Sequence, residues 1–272
     1  MDIQELKAIA ADIRKDIITM IAESGSGHPG GSLSAADILT VLYFHEMKVD
    51  SNNPKWEDRD RFALSKGHAA PALYAILARK GFFPRGELLK LRKIGSMLQG
   101  HPDMRGTPGI DMSTGSLGQG FSASCGMAMA AKIDKKDYRV YTLLGDGELQ
   151  EGIVWEAAMF AAHYKLDNLT AIVDHNGLQI DGANEEVLSV APITEKFKAF
   201  GWNVIETDGH CIEDIISSID KAKQVRGNPT AIVAKTTKGK GVSFMENEAD
   251  WHGKAPKGDQ KLQALKELGG EA

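Results

Sequence analysis

The chain has 272 residues, 42% hydrophobic and 25% charged, and 32 basic against 37 acidic residues give a formal net charge of −5. That is ordinary globular composition, enough for one large domain or two small ones, and the acidic balance argues against nucleic-acid or anionic-membrane partners. Cys125 and Cys211 form no CxxC pair, no apolar run approaches the ~20 residues of a membrane span, and Asp2 and Glu5 stand where a signal peptide carries bases, so a cytoplasmic setting is expected.

From Ile3 to Ile21 the apolar residues Leu6, Ile9, Ile13, Ile17 and Met20 recur at helical spacing. That helix should stop at Ser24-Gly25-Ser26-Gly27-His28, and Pro29-Gly30-Gly31 should delay the next one until about Ser34 or Ala35, whence it runs to about His45. A polar stretch, Asp50 to Arg61, leads to the short run Phe62-Ala63-Leu64-Ser65, which ends at Lys66-Gly67-His68. Pro71 to Lys80 reads as a helix, as does the small-residue segment Phe121 to Ala131. Val140 to Leu144, Leu169 to Val173, Asn203 to Ile205 and Thr230 to Ala234 are short, apolar and β-branched, the signature of buried parallel strands. Helical patterns separate or precede them at Trp155 to Tyr164, Ile193 to Phe200 and Ile212 to Val225. The alternation predicts an α/β fold, an open and mostly parallel sheet with helices on both faces, whose ligands bind outside the carboxyl ends of the strands. From Trp251 the chain is rich in Gly, Lys and Pro before a short helical piece, Gln260 to Leu268, and is expected as an arm more than as core.

Two glycine-rich strings are set aside. Gly25-Ser26-Gly27-His28-Pro29-Gly30 matches GxGxxG, but a helix precedes it where a dinucleotide fingerprint needs a strand. Lys238-Gly239-Lys240-Gly241 lacks the leading glycine and the Ser or Thr of a P-loop.

The strongest local signal is Leu144-Gly145-Asp146-Gly147-Glu148, a strand running straight into Gly-Asp-Gly, with Asp174-His175-Asn176-Gly177-Leu178 at the end of the next strand. Each alone is more often a turn. Together, two consecutive strand ends would set Asp146 beside Asn176, and these with a carbonyl near Leu178 would give a hard divalent cation three oxygens to share with a substrate phosphate. A second signal is that His28, His68, His101 and His210 each follow a glycine and His252 precedes one. A single loop histidine is usually just exposed, but independent glycine-rich loops rarely converge on one residue type by chance. His45, His163 and His175 are expected to be structural. A third is Ser113-Thr114-Gly115-Ser116-Leu117-Gly118-Gln119-Gly120, whose glycines ahead of a helix could bare backbone N–H groups to a flat ligand or an anion, or permit close helix packing. Glu151 and Glu156 follow the Gly-Asp-Gly turn on one helix, either as solvated carboxylates or in an apolar, alanine-rich segment that is buried or meets another subunit.

The stretches Ser26-Gly27-His28-Pro29-Gly30-Gly31, Ser65-Lys66-Gly67-His68-Ala69-Ala70, Gly100-His101-Pro102-Asp103, Thr114 through Gly120, Gly145 through Gly152, Asp174-His175-Asn176 and Trp251-His252-Gly253 resemble, in order and spacing, the cofactor-diphosphate domain of transketolase. His175 departs from the asparagine common there. The resemblance spans nearly the whole chain and implies a single diphosphate-binding domain over residues 1–272, with the pyrimidine-binding and C-terminal domains on a separate polypeptide. It implies thiamine diphosphate held through Mg²⁺ or Ca²⁺ by Asp146, Asn176 and the Leu178 carbonyl, with Gly147 and His68 near the diphosphate. Gly115, Ser116 and Leu117 would line the cofactor. His28, His101 and His252 would act on substrate, His252 also touching the cofactor, and Glu151 and Glu156 would couple cofactor sites across subunits. The implied reaction moves a two-carbon ketol unit from a ketose phosphate to an aldose phosphate, in an assembly of two copies of each chain. The α-like subunit of a 2-oxo acid dehydrogenase, a deoxyxylulose-phosphate synthase relative and a non-catalytic cofactor-binding subunit are the alternatives.

Overall fold

A computed structural model describes residues 1–270. Helix α1, Ile3–Ser24, opens with a capping box in which Asp2 accepts from the Glu5 N–H at 2.8 Å and Glu5 accepts from the Asp2 N–H at 2.9 Å. It closes at Gly25, which takes the left-handed conformation (φ 65°) that a side chain would resist. The next helix starts earlier than expected. α2, Pro29–Ser34, begins at the proline, whose fixed φ and missing N–H suit the first helical position. α3, Ala36–Val41, follows almost at once and ends in a π-helical turn, Leu42–Glu46.

Five parallel strands form the sheet, in the order β1-β2-β3-β7-β6: β1 Arg61–Leu64, β2 Val140–Gly145, β3 Leu169–His175, β7 Thr230–Lys235 and β6 Asn203–Asp208. β1, which the sequence marks only as a short apolar run, is an edge strand paired along its four residues with Val140–Leu143. A two-stranded hairpin, β4 Leu178–Gln179 and β5 Gly182–Ala183, leads through the single-turn α7, Asn184–Val187.

The pleat sends alternate strand residues to opposite layers. Phe62, Tyr141, Leu143, Ile172 and Ile232 face a core built with α1, α3, α4 (Ala70–Lys80) and α9 (Ile212–Gln224). Val140, Leu144, Val173 and Val233 face a second core with α5 (Gln119–Ile133), α6 (Gly152–His163) and α8 (Ile193–Ala199). The segment after Trp251 is not an arm. Trp251, Ala255 and Ala264 are buried in the first core, Leu265 and Leu268 pack against it, and α10, Asp259–Glu267, lies on α1. Among the described residues no helix is long and apolar enough to cross a membrane.

The layering also positions the site. β1 exits toward α4 in one layer and β2 toward α6 in the other, which opens a crevice at the carboxyl ends of these neighbouring strands.

Candidate functional site

A cavity of about 380 Å³ lies at this crevice, bounded by His68, Gly115, Leu117, Asp146, Asn176 and Lys238. Gly147, Leu178, Glu151 and His252 also face it. Of the residues singled out in the sequence, His28, His101 and Ser116 do not line the cavity, and Ser116 is exposed. Glu156 points outward from α6, and Glu151 sits at the rim as the residue before that helix.

The glycine–histidine loops converge. The His68 and His252 rings stack with centroids 4.9 Å apart, and His28 stands 5.3 Å from His68, 5.5 Å from His252 and 6.5 Å from His101. His210 lies elsewhere, bonded to Asp37. Burial, then the positive charges nearby, lowers every member of the cluster: His28 to about 4, chiefly by burial and then by Arg92, and His252 to about 3, by burial and then by Lys238. Burial and Lys66 push His68 well down, and burial and Arg92 lower His101. All four are therefore neutral imidazoles near pH 7, each with one donor and one acceptor nitrogen.

The neutral cluster makes stability depend on pH. A histidine protonated more easily unfolded than folded costs nothing above pH 6.5, its ordinary value, and destabilises the fold as pH falls toward its lowered folded value. The thermal midpoint of the cofactor-free chain should drop between pH 7 and pH 5, and His252→Gln should flatten the slope. A midpoint level over that interval would contradict the neutral cluster.

Asp146 is 1% exposed. Its carboxylate accepts from the N–H of Gly147 at 2.8 Å and of Gly177 at 2.5 Å, which ties the two strand ends together. Burial pushes its pKa up, and the nearby Asp174 adds to the rise, so this carboxylate is short of positive charge. Asn176 Oδ1 accepts from the Leu178 N–H at 3.1 Å, and the Leu178 carbonyl accepts from Lys238 Nζ at 3.2 Å. One carboxylate from the end of β2 and one amide oxygen and one carbonyl from the turn after β3 thus face one cavity, an all-oxygen set suited to a hard cation. Among the described residues no three His, Cys, Asp or Glu gather to hold a metal by themselves.

Four functional side chains escaped the sequence reading. Lys238, in the string rejected as a P-loop, reaches the cavity with its ammonium 2.9 Å from His252 Nδ1, and burial lowers it to about 8. Its position just beyond a strand end was the available signal. Glu148 is 2% exposed and joins three loops, accepting from Ser65 Oγ, from the Gly118 N–H at 2.7 Å and from the Gly145 N–H at 3.0 Å. Lys66 and Asp174 form a buried ion pair beneath the cavity. Lys66 also donates to the Gly31 carbonyl at 2.8 Å, and Asp174 accepts from Ser34 Oγ at 2.5 Å and from Thr236 Oγ1. Burial alone would raise the Asp174 carboxyl, but the Lys66 ammonium and these bonds hold it below its usual value. Asp174→Ala strands Lys66 without a counter-charge and should cost about 3–5 kcal/mol in urea unfolding. A loss under about 1 kcal/mol would show that water or another group replaces the carboxylate.

The family model described as transketolase, thiamine diphosphate binding domain, matches residues 5–271. The chain is 50% identical to a 6-deoxy-6-sulfo-D-fructose transketolase subunit of Clostridium sp. (strain MSTE9), over 91% of this chain and 90% of the relative. It is 45% identical to an apulose-4-phosphate transketolase subunit of Phocaeicola vulgatus, over 98% of this chain and 95% of the relative. The structure superposes on a crystal structure of transketolase from Campylobacter jejuni with a TM-score of 0.94 at 36% identity, covering all of this chain and 44% of that one. Human transketolase is 47% identical over 98% of this chain, which spans 42% of its length.

Proposed function

The chain belongs to the transketolase thiamine-diphosphate-binding family, and from that premise we propose that it is the cofactor-diphosphate subunit of a two-chain transketolase. The carrying observation is that four neutral histidines from four separate loops gather beside one another, His68 and His252 lining the cavity that also holds the Asp146, Asn176 and Leu178 residues and His28 and His101 standing behind them. A 2-oxo acid dehydrogenase or synthase subunit shares Gly-Asp-Gly, but the relatives at 45–50% identity are transketolase subunits.

The residues present fit both cofactor and cation. A Cβ on Gly31 would lie 3.4 Å from His68 Nε2 and 3.6 Å from Lys66 Nζ, so the bare backbone there keeps open a space faced by donors. Asn184, 3% exposed, has an unpartnered Nδ2 and lies against Gly147. In this reading Asp146, Asn176 and the Leu178 carbonyl hold Mg²⁺ or Ca²⁺, and Gly147, His68 and Lys238 hold the diphosphate. With a single carboxylate in the set, cation and diphosphate bind together rather than in sequence. Gly115 and Leu117 flank the cofactor ring. Thiamine diphosphate, when bound, supplies the nucleophilic carbon and the electron sink for breaking and re-forming the bond between the second and third carbons of a ketose.

The chain's own contribution to that chemistry is the histidine cluster. His28, His101 and His252, neutral, donate to the substrate carbonyl oxygen as charge develops on it and accept protons from sugar hydroxyls. Glu151 at the rim and Glu156 on α6 belong to the contact between two copies of the chain, in an assembly with two copies of the partner. Ketose and aldose phosphates, as in pentose-phosphate exchange, or a sulfonated sugar are the substrate class, their anionic ends held largely by the partner chain. Both cysteines are free, in keeping with a cytoplasmic setting.

Alanine variants at His28, His101 and His252 test the reading in the assembled enzyme. Each should bind cofactor and lose turnover by about 10²–10⁴-fold, the range for acid–base groups. A variant with wild-type turnover leaves the substrate site. A variant that fails to bind cofactor belongs to the diphosphate subsite, and His252, 2.9 Å from Lys238, is the one placed to do so.

A further inference from the structure

Lys238 reaches the cavity from the turn after β7, and that turn's own sequence does little to hold it. Thr236-Thr237-Lys238-Gly239-Lys240-Gly241 carries two glycines with left-handed φ, 78° at Gly239 and 94° at Gly241. The loop is fixed from outside instead. Thr236 Oγ1 donates to Asp174, the Gly239 N–H donates to the Gly30 carbonyl at 3.0 Å, and the Lys238 carbonyl accepts from the Asn247 N–H at 2.9 Å. The amide next to Lys238 has a different kind of partner. The Thr237 N–H donates to a side chain, Nε2 of His210, at 2.8 Å.

An imidazole nitrogen can accept only when it carries no proton. His210 therefore holds its proton on Nδ1, which lies 2.8 Å from Asp37 Oδ2. Asp37 is in turn gripped by both terminal nitrogens of Arg14, at 3.0 and 2.6 Å. Three partly or fully buried side chains from α1, α3 and the β6–α9 turn thus end on one backbone amide. None of them lines the cavity.

The turn that carries His210 is shaped for this approach. The Gly209 N–H donates to the Lys235 carbonyl at 2.8 Å, and the His210 N–H donates to Asp208 Oδ1 at 2.8 Å. A Cβ on Gly209 would lie 2.5 Å from Thr236 Cγ2 and 3.0 Å from the Lys235 carbonyl oxygen, so only glycine lets the turn press this closely on the end of β7.

We propose that Asp37 and His210 are positioning residues for Lys238: Asp37 fixes the ring proton of His210, and His210 anchors the Thr237 amide, which aims the Lys238 ammonium at the diphosphate subsite. The proposal rests on the cofactor reading of the cavity. It extends that reading to a chain of residues that touches neither cofactor nor substrate. The Lys238 carbonyl and the Gly239 N–H keep their own partners on the far side, so losing the Thr237 bond loosens the near side of the stretch from which the ammonium projects.

Hydrogen–deuterium exchange on the full-length chain tests the anchor without any cofactor. His210→Phe fills the ring volume and removes the acceptor, whereas His210→Gln restores one. Peptides over Thr237–Lys240 should exchange about tenfold faster in His210→Phe and near the wild-type rate in His210→Gln, with Val140–Gly145 unchanged. Should His210→Phe fail to fold, Asp37→Asn keeps the side-chain shape, removes the charge that orients the ring, and should give the same local increase. Unchanged exchange at Thr237–Lys240, or a rise spread equally over β2, overturns the proposal. In the second arm, calorimetry measures affinity of the assembled enzyme for thiamine diphosphate with Mg²⁺. The double variant His210→Phe/Lys238→Met should bind no more weakly than Lys238→Met alone. Additive losses overturn the positioning role. Wild-type affinity in Lys238→Met, with the exchange result as expected, overturns the diphosphate assignment of Lys238 and leaves the anchor standing.

Discussion

Asp146→Ala should weaken thiamine diphosphate binding by more than about 100-fold, because replacing even a partner behind a metal ligand costs 10–100-fold and Asp146 is proposed as the ligand itself. A diphosphate taken into a cavity without its cation leaves negative charge uncompensated beside Asp146 and the buried Asp174. The cation therefore decides the affinity. Asp146 also ties Gly147 to Gly177, so the alanine variant could act through the turn instead of the charge. Asp146→Asn separates the two effects. It keeps an acceptor for one of the two N–H groups but lacks the negative charge, and it should lose most of the affinity that alanine loses. Asn176→Ala, which removes a neutral oxygen, should cost less, about tenfold. Isothermal titration of the assembled enzyme with and without chelator measures all of these. Equal affinity in the two conditions, or wild-type affinity in Asp146→Ala, would remove the metal from the site.

Much of this site could be read in the sequence, for a physical reason. Backbone approach to a ligand demands glycine, and chemistry at neutral pH favours histidine, so Gly27-His28, Gly67-His68 and Gly100-His101 each carry both marks in adjacent residues. β2, β3 and β7 were legible because strands buried on both faces are continuous apolar runs. β1 was not, since four residues beginning with Arg61 at a sheet edge leave too short a pattern. The start of α2 was misplaced because Pro29 and two glycines read as a break, whereas proline at a first helical position lacks only an N–H that would have no partner there. The charged floor of the cavity had no local signature. Lys66 and Asp174 are 108 residues apart, and neither sequence neighbourhood announces a partner. Glu148 looked like one more acid after Gly-Asp-Gly, but two of its three donors, Ser65 and Gly118, come from loops that meet its own only in the folded chain. Ser116, expected beside the cofactor, sits between two residues that line the cavity and turns its own side chain to the surface, because a loop alternates its side chains in ways that spacing alone does not reveal.

The assay of the chain by itself should show no ketol transfer above background, even with thiamine diphosphate, Mg²⁺ and sugar phosphates in excess. Thiamine chemistry needs a carboxylate against the pyrimidine ring and an apolar pocket around it. The carboxylates that face the cavity here are Asp146, Glu148 and Glu151. Asp146 and Glu148 are already engaged by backbone and hydroxyl donors, and Glu151 is an exposed rim residue. The surface around the cavity also looks like half of an interface. Ile180 is 64% exposed and Leu188 60% exposed beside the β4–β5 hairpin, while α6 shows Met159 at 58% and Tyr164 at 49%. Apolar side chains grouped in this way are buried by association in stable assemblies. The hairpin face adjoins the cavity and is the proposed seat of the partner chain, and the α6 face, which bears Glu156, the proposed contact with a second copy of this chain. Adding the partner, sought first in the neighbouring gene, should bring turnover up from background by at least about 10³-fold, the scale on which completing a catalytic constellation acts. Ile180→Asp should weaken assembly and lower that activity while leaving the chain folded, since the side chain contributes little to the core. Robust turnover by the lone chain would refute the two-chain reading, and full activity of Ile180→Asp would move the partner to another face.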